Sequence, residues 1–369
     1  TRTDTLFPYT TLFRSHPPNT QYHRKRIMKQ NKLSFAIATM ISAVADAQGI
    51  SKEQVSNGYT ISPTAVQTMY DEIAQNTELL QKINLRPKTE KVGEVIGLAS
   101  GLIGSNTNTS AQDKERKPKP IHNLTGRKYS LEQTNFDAAL RYDEIDQWAH
   151  LTDFPKHINK KIAESIALSL VTIGMNGTSR AADSDATSNA MLQDVAKGWL
   201  QKMREENKSR CIGTTGTSTA SVPYGPGATD YKNLDAVVTD ALNVMMDERF
   251  ADRSDFVVLA SRRTVGDKYL RIVNKSGDTA TEIESGGRLN KERTLGGLPV
   301  MYVPNMPQNT LLITPLSNLS IYYQISGERR QIVDNPRKDQ LESLQSKNID
   351  FIVEEYGAAV LIENLTYTK

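Results

Sequence analysis

Few residues of this chain are spaced so that they could perform catalysis or hold a metal ion. Asp183 and Asp185 flank a serine and could offer oxygen ligands to a divalent cation, but they lie in a polar segment typical of turns. His150 and His157 are seven residues apart near a predicted helix start, without a cysteine or a cluster of acids beside them. We therefore predict no metal site, no cofactor site and no catalytic site.

The remaining candidates are a thiol and a pair of acids. Cys211 is the only cysteine; it has no neighbouring histidine and lies in a segment rich in Gly, Ser, Thr and Pro, so we expect an unreactive thiol. Glu354 and Glu355 would point to opposite faces of a strand, where they cannot act together as acid and base. Glycine pairs in the chain lack the lysine of a phosphate-binding loop. Titratable groups that are scattered in this way favour a protein that is not an enzyme.

The composition is that of a globular protein with more than one domain. The chain has 369 residues, of which 38% are hydrophobic and 24% are charged, and this length suffices for two or three domains. The longest apolar run, residues 35–45, is shorter than a membrane-spanning helix, so we expect no membrane partner. A single cysteine excludes a disulfide framework and indicates a reducing compartment.

Residues 1–27 differ from the rest of the chain. The string TLFPYTTLFRS (Thr5 to Ser15) is similar to the translation of a sequencing adapter, so we expect residues 1–27 to be an artefact and not native. They hold five basic residues and one acid, which leaves 40 basic and 41 acidic residues, a net charge of −1, for residues 28–369. A nearly neutral chain argues against a dedicated nucleic-acid binder.

The leader that begins at Met28 has a helical pattern that ends near Gly49. Its apolar positions are Leu33, Ile37, Met40, Ile41 and Val44. A signal peptide with a cleavage site at residues 45–47 is the alternative, but a signal core is apolar throughout and this one carries three hydroxyl residues. We predict an amphipathic helix here, and a second short helix over residues 64–81.

A long extended arm follows the leader. Residues 91–104 alternate apolar residues with glycine, residues 105–123 are polar, and residues 136–143 alternate with a strand period. We interpret these stretches as two extended arms joined by a polar tip. Such a hairpin is marginally stable alone, so we expect it to lie on another surface; an ordinary mobile loop is the alternative. The short basic run in the tip, Lys114 to Lys119, does not define a nucleic-acid site.

The second half of the chain alternates helices and strands. A long helix is predicted from Asp153 to Gly174, a second helix from Met191 to Arg204, and a domain boundary within Cys211 to Gly227. The predicted elements that follow are a helix over 234–245, a strand over 256–260, a helix over 265–273, strands over 299–303 and 311–313, a hairpin of 319–324 and 330–333, and strands over 349–353 and 358–362.

Five long strings of this sequence resemble the major capsid proteins of Peduovirus-type tailed phages. The strings are SNAMLQDVAKGWLQKMRE (188–205), YKNLDAVVTDALN (231–243), DKYLRIVNK (267–275), LLITPLSNLSIYY (311–323) and NIDFIVEEYGAA (348–359). The resemblance covers residues 28–365, nearly all of the native chain.

This resemblance implies an α+β chain with the tailed-phage major capsid fold. That fold has an N-terminal arm, an extended β-hairpin loop, a long spine helix in a peripheral domain, and an α/β axial domain. The implied units are a scaffolding-type leader over 28–59, the arm over 60–90, the extended loop over 91–128, the peripheral domain over 129–230 and 316–369, and the axial domain over 231–315. By position, a phage protease would remove the leader between Tyr59 and Thr60.

The resemblance also implies the function. Copies of the chain would assemble through pentamers and hexamers into an icosahedral head that encloses double-stranded DNA without reading its sequence, and a precursor shell would mature as the DNA enters. The implied partners are the scaffold, protease and portal proteins of the same phage, with assembly in the bacterial cytoplasm and the virion as the final location. Alternatives are a nanocompartment shell of the same fold, or a cytosolic α/β enzyme or ligand-binding protein.

Overall fold

The computed structural model describes most of the chain. The described residues are 34–46 except 36 and 43, 50–95, 106, 115, 116, 118, 127–148, 154–215, 218–266, 268 and 294–369. A first helical stretch within residues 34–46 is called the leader helix below. The helices after it are α1 (Lys52–Asn57), α2 (Pro63–Gln75), α3 (Glu78–Lys82), α4 (Tyr142–Trp148), α5 (Phe154–Asn176), α6 (Trp199–Glu206), α7 (Leu234–Met245) and α8 (Glu248–Ala251).

Most of the strands belong to two larger sheets. In chain order they are β1 (Tyr59–Thr60), β2 (Asn84–Lys88), β3 (Val92–Glu94), β4 (Lys128–Ser130), β5 (Glu132–Asn135), β6 (Ala138–Arg141), β7 (Cys211–Ile212), β8 (Thr214–Thr215), β9 (Ser218–Thr219), β10 (Val222–Tyr224), β11 (Phe256–Ala260), β12 (Thr294–Leu295), β13 (Leu298–Tyr302), β14 (Leu311–Pro315), β15 (Leu319–Gln324), β16 (Arg329–Asn335), β17 (Gln340–Val353), β18 (Val360–Ile362) and β19 (Leu365–Tyr367).

The first sheet is built around the long strand β17. Its order is β1-β16-β17-β15-β2, and β5 and β6 also pair with β17. Side chains along β17 alternate between buried and half-buried, which is the period of two expected when one face of a sheet is covered. The covering helices are α2 and α5, whose apolar residues share one core with β15 and β17.

The helix α5 confirms the long helix predicted from the spacing of its apolar residues. Ile166 and Leu170 are buried, and Ile162, one turn earlier, is half-buried against the same core. Near its end, α5 meets the indole of Trp199, whose Nε1 donates a hydrogen bond of 3.1 Å to the carbonyl of Ser320. This contact fixes α5, α6 and the first sheet to one another.

The second sheet has the order β12-β13-β11-β14-β18-β7. Helix α7 packs on one face of this sheet, with Val237, Val238 and Ala241 fully buried. The opposite face carries Leu259 and Leu312, which belong to the core of the first sheet. The strands of residues 211–212 and 360–362 therefore lie in the same sheet as strands from residues 256–315.

Several predicted elements differ from those observed. The helix predicted over 64–81 is divided into α2 and α3, because Thr77 is extended. The helix predicted from Met191 begins only at Trp199, because Leu192 has a left-handed φ of 58°. The predicted strand over 136–143 ends at Arg141, where α4 begins. The helix predicted from Val265 begins earlier: residues 262–266 and 268 are helical, and residues 269–273 are outside the described residues.

The predicted hairpin of residues 319–324 and 330–333 is wrong. Both strands exist, as β15 and β16, but they do not pair with each other: they follow one another along one edge of β17, and each pairs antiparallel with it. A strand of 14 residues offers one half to each partner, so it displaces the local pairing that the short turn suggested. Glu354 and Glu355 follow β17 and do not lie within it, so their predicted placement on a strand is also wrong.

The base of the predicted extended loop is an antiparallel ladder of β3 and β4. Val92 lies opposite Ser130, and Glu94 lies opposite Lys128. Most of the polar tip is outside the described residues, including the predicted basic run apart from Glu115, Arg116 and Pro118. A search of the described residues finds no helix long and apolar enough to cross a membrane.

Candidate processing site and leader surface

The predicted processing residues Tyr59 and Thr60 form the edge strand β1. Tyr59 lies opposite Arg330 and Thr60 opposite Arg329, in antiparallel register with β16. Gly58, just before them, has a φ of +88°, which residues other than glycine rarely adopt. At Gly58 the chain turns from α1 into β1. The predicted cut therefore lies in a two-residue strand between a helical leader and the first sheet.

A cleft of about 550 Å³ adjoins this strand. Its walls include Asn57 to Thr60 on one side and residues of β16, β17 and β5 on the others. Thr60 is exposed and Tyr59 is half-buried, so one side of the peptide bond that joins them can be approached from solvent.

Arg330 lies where this cleft meets the space between α2 and α5. Its Nη2 donates a hydrogen bond of 3.2 Å to Oδ1 of Asn159. Among the described residues, neither its Nε nor the hydroxyl of Tyr59 has a hydrogen-bond partner, although both atoms are buried. Burial lowers the pKa of Arg330 and raises the pKa of Tyr59. Unsatisfied buried polar atoms weaken the attachment of β1 to β16.

The leader helix packs on the first sheet through the predicted apolar stripe. Ile37, Met40 and Val44 are buried and share a cluster with Ile332 of β16 and Leu341 of β17. Val55 of α1 and Ile145 of α4 complete this cluster, and Ile41 packs against it. The predicted amphipathic helix is confirmed for these residues, and Leu33 is outside the described residues.

The leader helix and α1 both contribute side chains to this cluster. The amide of Ile50 donates a hydrogen bond of 3.0 Å to the carbonyl of Ala45. Ser51 and Gln54 form a reciprocal capping box at the start of α1. Nε2 of Gln331 on β16 donates a hydrogen bond of 2.9 Å to the carbonyl of Ser56. The described part of the leader thus packs on β16 and β17 of the first sheet.

Two residues that we predict to have no catalytic or metal-binding role, Cys211 and Asp185, make local hydrogen-bond contacts. Cys211 is buried, and its Sγ lies 3.5 Å from the carbonyl oxygen of Met203; burial raises the pKa of this thiol to about 12. Asp185 accepts hydrogen bonds from the amide of Thr187 and the hydroxyl of Ser188, which is the predicted turn.

The described residues contain no group of three or more His, Cys, Asp and Glu side chains positioned to hold a metal ion. His157 is exposed on α5, and His150 is outside the described residues.

The sequence did not indicate that two acids, Glu354 and Glu328, are buried. Glu354 accepts hydrogen bonds from Oγ of Ser320 at 2.5 Å and from the hydroxyl of Tyr322 at 3.1 Å. Glu328 pairs with Lys347, and both side chains are almost fully buried. A signal for the second pair exists in hindsight: Lys347 occupies a buried position of the period-two pattern along β17.

The sequence comparisons identify the family. The model of the family described as "Phage major capsid protein, P2 family" matches residues 36–365. The chain belongs to this family. The capsid proteins of Escherichia phage P2 are 38% identical over 336 residues, 90% of this chain and 94% of the relative. The major capsid protein of Serratia phage KSP20 is 32% identical over 334 residues, 89% of this chain and 95% of the relative.

A solved structure shows the same fold. A chain of "Satellite phage P4 procapsid including size determination (Sid) protein" matches with a TM-score of 0.76 at 38% identity, over 84% of this chain and 94% of that chain. The predicted resemblance to Peduovirus-type capsid proteins and the predicted α+β capsid fold are both confirmed. The function of the P2-family chain is that of a major capsid protein, the subunit of an icosahedral phage head.

Proposed function

We propose that this capsid protein assembles through pentamers and hexamers into a precursor shell that matures around double-stranded DNA. The observation that carries the proposal is the similarity to a chain of a phage procapsid over 94% of that chain's length. Shell subunits meet head to tail around symmetry axes, and many modest contacts add up to a stable particle. A nearly neutral native chain suits this packing, because like-charge repulsion between many copies stays small.

The proposed partners are other copies of the chain, the scaffold, protease and portal proteins of the same phage, and DNA bound without sequence readout. Assembly would take place in the host cytoplasm and end in the virion. The relatives are structural capsid proteins, which favours a role without catalysis. A nanocompartment that encloses protein cargo is the second candidate, and a leader that is removed by a protease would favour the phage head.

Processing is proposed between Tyr59 and Thr60. Support comes from the position of this bond, which joins a folded leader to the body through a strand of two residues at a sheet edge. Residues 1–27 are proposed to be foreign to the native protein.

The division into domains is also proposed. The first sheet with α2 and α5 would form the peripheral domain, and α7 with the second sheet would form the axial domain. Strand pairing supports the addition of residues 211–212 and 360–362 to the axial unit, because β7 and β18 pair within the second sheet.

Negative-stain electron microscopy of two chains tests the function. One chain begins at Met28 and the other at Thr60, and neither carries residues 1–27. Closed shells, or rings of five and six subunits, are expected from the longer chain, and a different particle distribution from the shorter one would assign the leader to assembly. Monomers or dimers in both samples at all concentrations would contradict the proposed assembly.

A further inference from the structure

We propose that the surface beneath the leader is a peptide-binding groove, so that the leader stays bound to the body after the bond between Tyr59 and Thr60 is cut. This inference rests on the proposed processing. The ligand is the amphipathic leader helix with α1, and in the structure these segments of the same chain occupy the groove. Cutting the chain and releasing the leader are then two separate events.

The first argument is the location of the contacts. The leader buries Ile37, Met40 and Val44 against Ile332 and Leu341, and all five are less than a tenth exposed. None of these side chains belongs to β1. A cut in β1 therefore removes one covalent link and leaves the apolar contacts in place.

The second argument is that the leader is already folded when it is cut. The amide of Ile50 donates a hydrogen bond to the carbonyl of Ala45 at the end of the leader helix, and Ser51 with Gln54 caps α1. A ligand that keeps its bound shape loses less conformational freedom when it binds again. Gln331 adds a polar contact from β16 to the carbonyl of Ser56, which fixes the position of α1 on the sheet.

The third argument is the amphipathic character of the leader helix. Among its described residues, the exposed ones are Ser34, Phe35, Ala38, Thr39 and Asp46, and Phe35 is 75% exposed, whereas the buried ones are all apolar. Departure of the leader would expose Ile332 and Leu341 side by side on the sheet. Contiguous exposed apolar residues promote unspecific association, so a retained leader protects the subunit until another surface can cover the groove.

The experiment uses the chain from Met28 with the recognition sequence of a specific protease inserted between Tyr59 and Thr60. After cleavage, gel filtration separates bound from free leader. We expect the leader to co-elute with the body. Ile37→Asp places a charge in the apolar groove, and we expect at least about tenfold faster loss of the leader. Phe35→Asp is the matched control on the same helix and should retain the leader as the parent does.

A competition measurement covers the case in which the Ile37→Asp chain does not fold. A fluorescent peptide of residues 28–59 is bound to the cleaved parent body, and unlabelled peptides displace it. The parent and Phe35→Asp peptides should compete equally, and the Ile37→Asp peptide should need at least about tenfold more. Immediate separation of the parent leader, or equal competition by all three peptides, would overturn the inference.

The outcome does not depend on the natural processing position, because the added protease makes the cut. The processing proposal is tested independently by sequencing the N-terminus of the protein from mature particles. A different natural terminus would contradict that proposal. It would not affect the binding measurements, which test retention of the leader on the cleaved chain.

Discussion

Nζ of Lys347 lies 3.0 Å from Oε2 of Glu328 in the interior of the protein, where the two side chains are 2% and 1% exposed. Lys347 is on β17, and Glu328 immediately precedes β16. The ring of Tyr70, from α2, lies 4.9 Å from the ammonium group and stacks on Tyr323. Burial lowers the pKa of Lys347 and raises the pKa of Glu328. The pair joins α2 to the centre of the first sheet.

Replacement of one partner should cost much more than replacement of both. Lys347→Met leaves a buried carboxylate without its cation, and we expect the free energy of unfolding to fall by about 3–5 kcal/mol. Lys347→Met combined with Glu328→Gln removes both charges, and we expect most of that loss to be recovered. Urea denaturation of unassembled subunits measures both effects.

The matched control is the exposed pair of Lys82 and Glu78, with 48% and 68% of the side chains exposed. Lys82→Met should change stability by less than about 1 kcal/mol, because water screens this pair. Equal losses for Lys347→Met and Lys82→Met would contradict the structural role of the buried pair.

This pair also shows which features of the fold a local sequence pattern cannot predict. The period of apolar residues predicted α5 and β11 well, because burial of one face dictates the spacing of apolar side chains within a segment. Pairing between distant segments left no such mark: a short turn joins β15 and β16, yet each of them pairs with β17 and not with the other. The partner of Lys347 is fixed by that long-range pairing, and for this reason a local pattern could not reveal it.

We predict that close packing of α6 against α5 requires a glycine at position 174. A Cβ at this position would lie 2.3 Å from the ring of Trp199, which is fully buried. Gly174→Ala should therefore displace the indole and lower stability by about 1–3 kcal/mol. Denaturant unfolding and tryptophan fluorescence measure the two effects, since the chain has only two tryptophans.

Gly266 provides the control for this substitution. It is also helical, and a Cβ there would meet no atom of the described residues within 4 Å. Gly266→Ala should be neutral or slightly stabilising, since alanine favours a helix. If Gly174→Ala also left the stability unchanged or raised it, the packing of Trp199 on α5 would not require glycine at position 174.

Asp247 should make stability depend on pH in the acidic range. It caps α8, and hydrogen bonds from the side chain of Arg249 lower its pKa to about 2. Because this pKa is lower in the folded state than the ordinary value of 3.8, the stabilisation is present above about pH 4 and is lost as the pH falls towards 2. We expect a contribution below about 1 kcal/mol, because solvent screens the pair.

Asp247→Asn isolates this contribution. The amide oxygen can still cap the helix, but it does not titrate, so the decline in stability between about pH 4 and 2 should be shallower than in the parent. Denaturation curves at a series of pH values make the comparison. Identical slopes in parent and variant would show that the charge of Asp247 does not stabilise the fold.

The proposed processing position rests on resemblance to a known family, and it stays a prediction. Nothing in the residue types of Tyr59 and Thr60 distinguishes them from other polar loop residues. Their distinctive feature is topological, since they form a short edge strand between the leader and the body. The apolar stripe of the leader was visible in the sequence, but the sheet surface that receives it is assembled from β16 and β17, almost 300 residues further along the chain.

Cys211 is predicted to be unreactive in the folded chain. Its thiol is buried beside Met203 and Asn207, and burial raises its pKa to about 12, so that almost no thiolate forms at pH 8. Iodoacetamide at that pH should modify the native protein at least about a hundredfold more slowly than the protein in urea. Mass spectrometry gives both rates without ambiguity, because this is the only cysteine. A Cys211→Ala chain supplies the background, and rapid alkylation of the folded protein would mean that β7 opens readily and exposes the thiol.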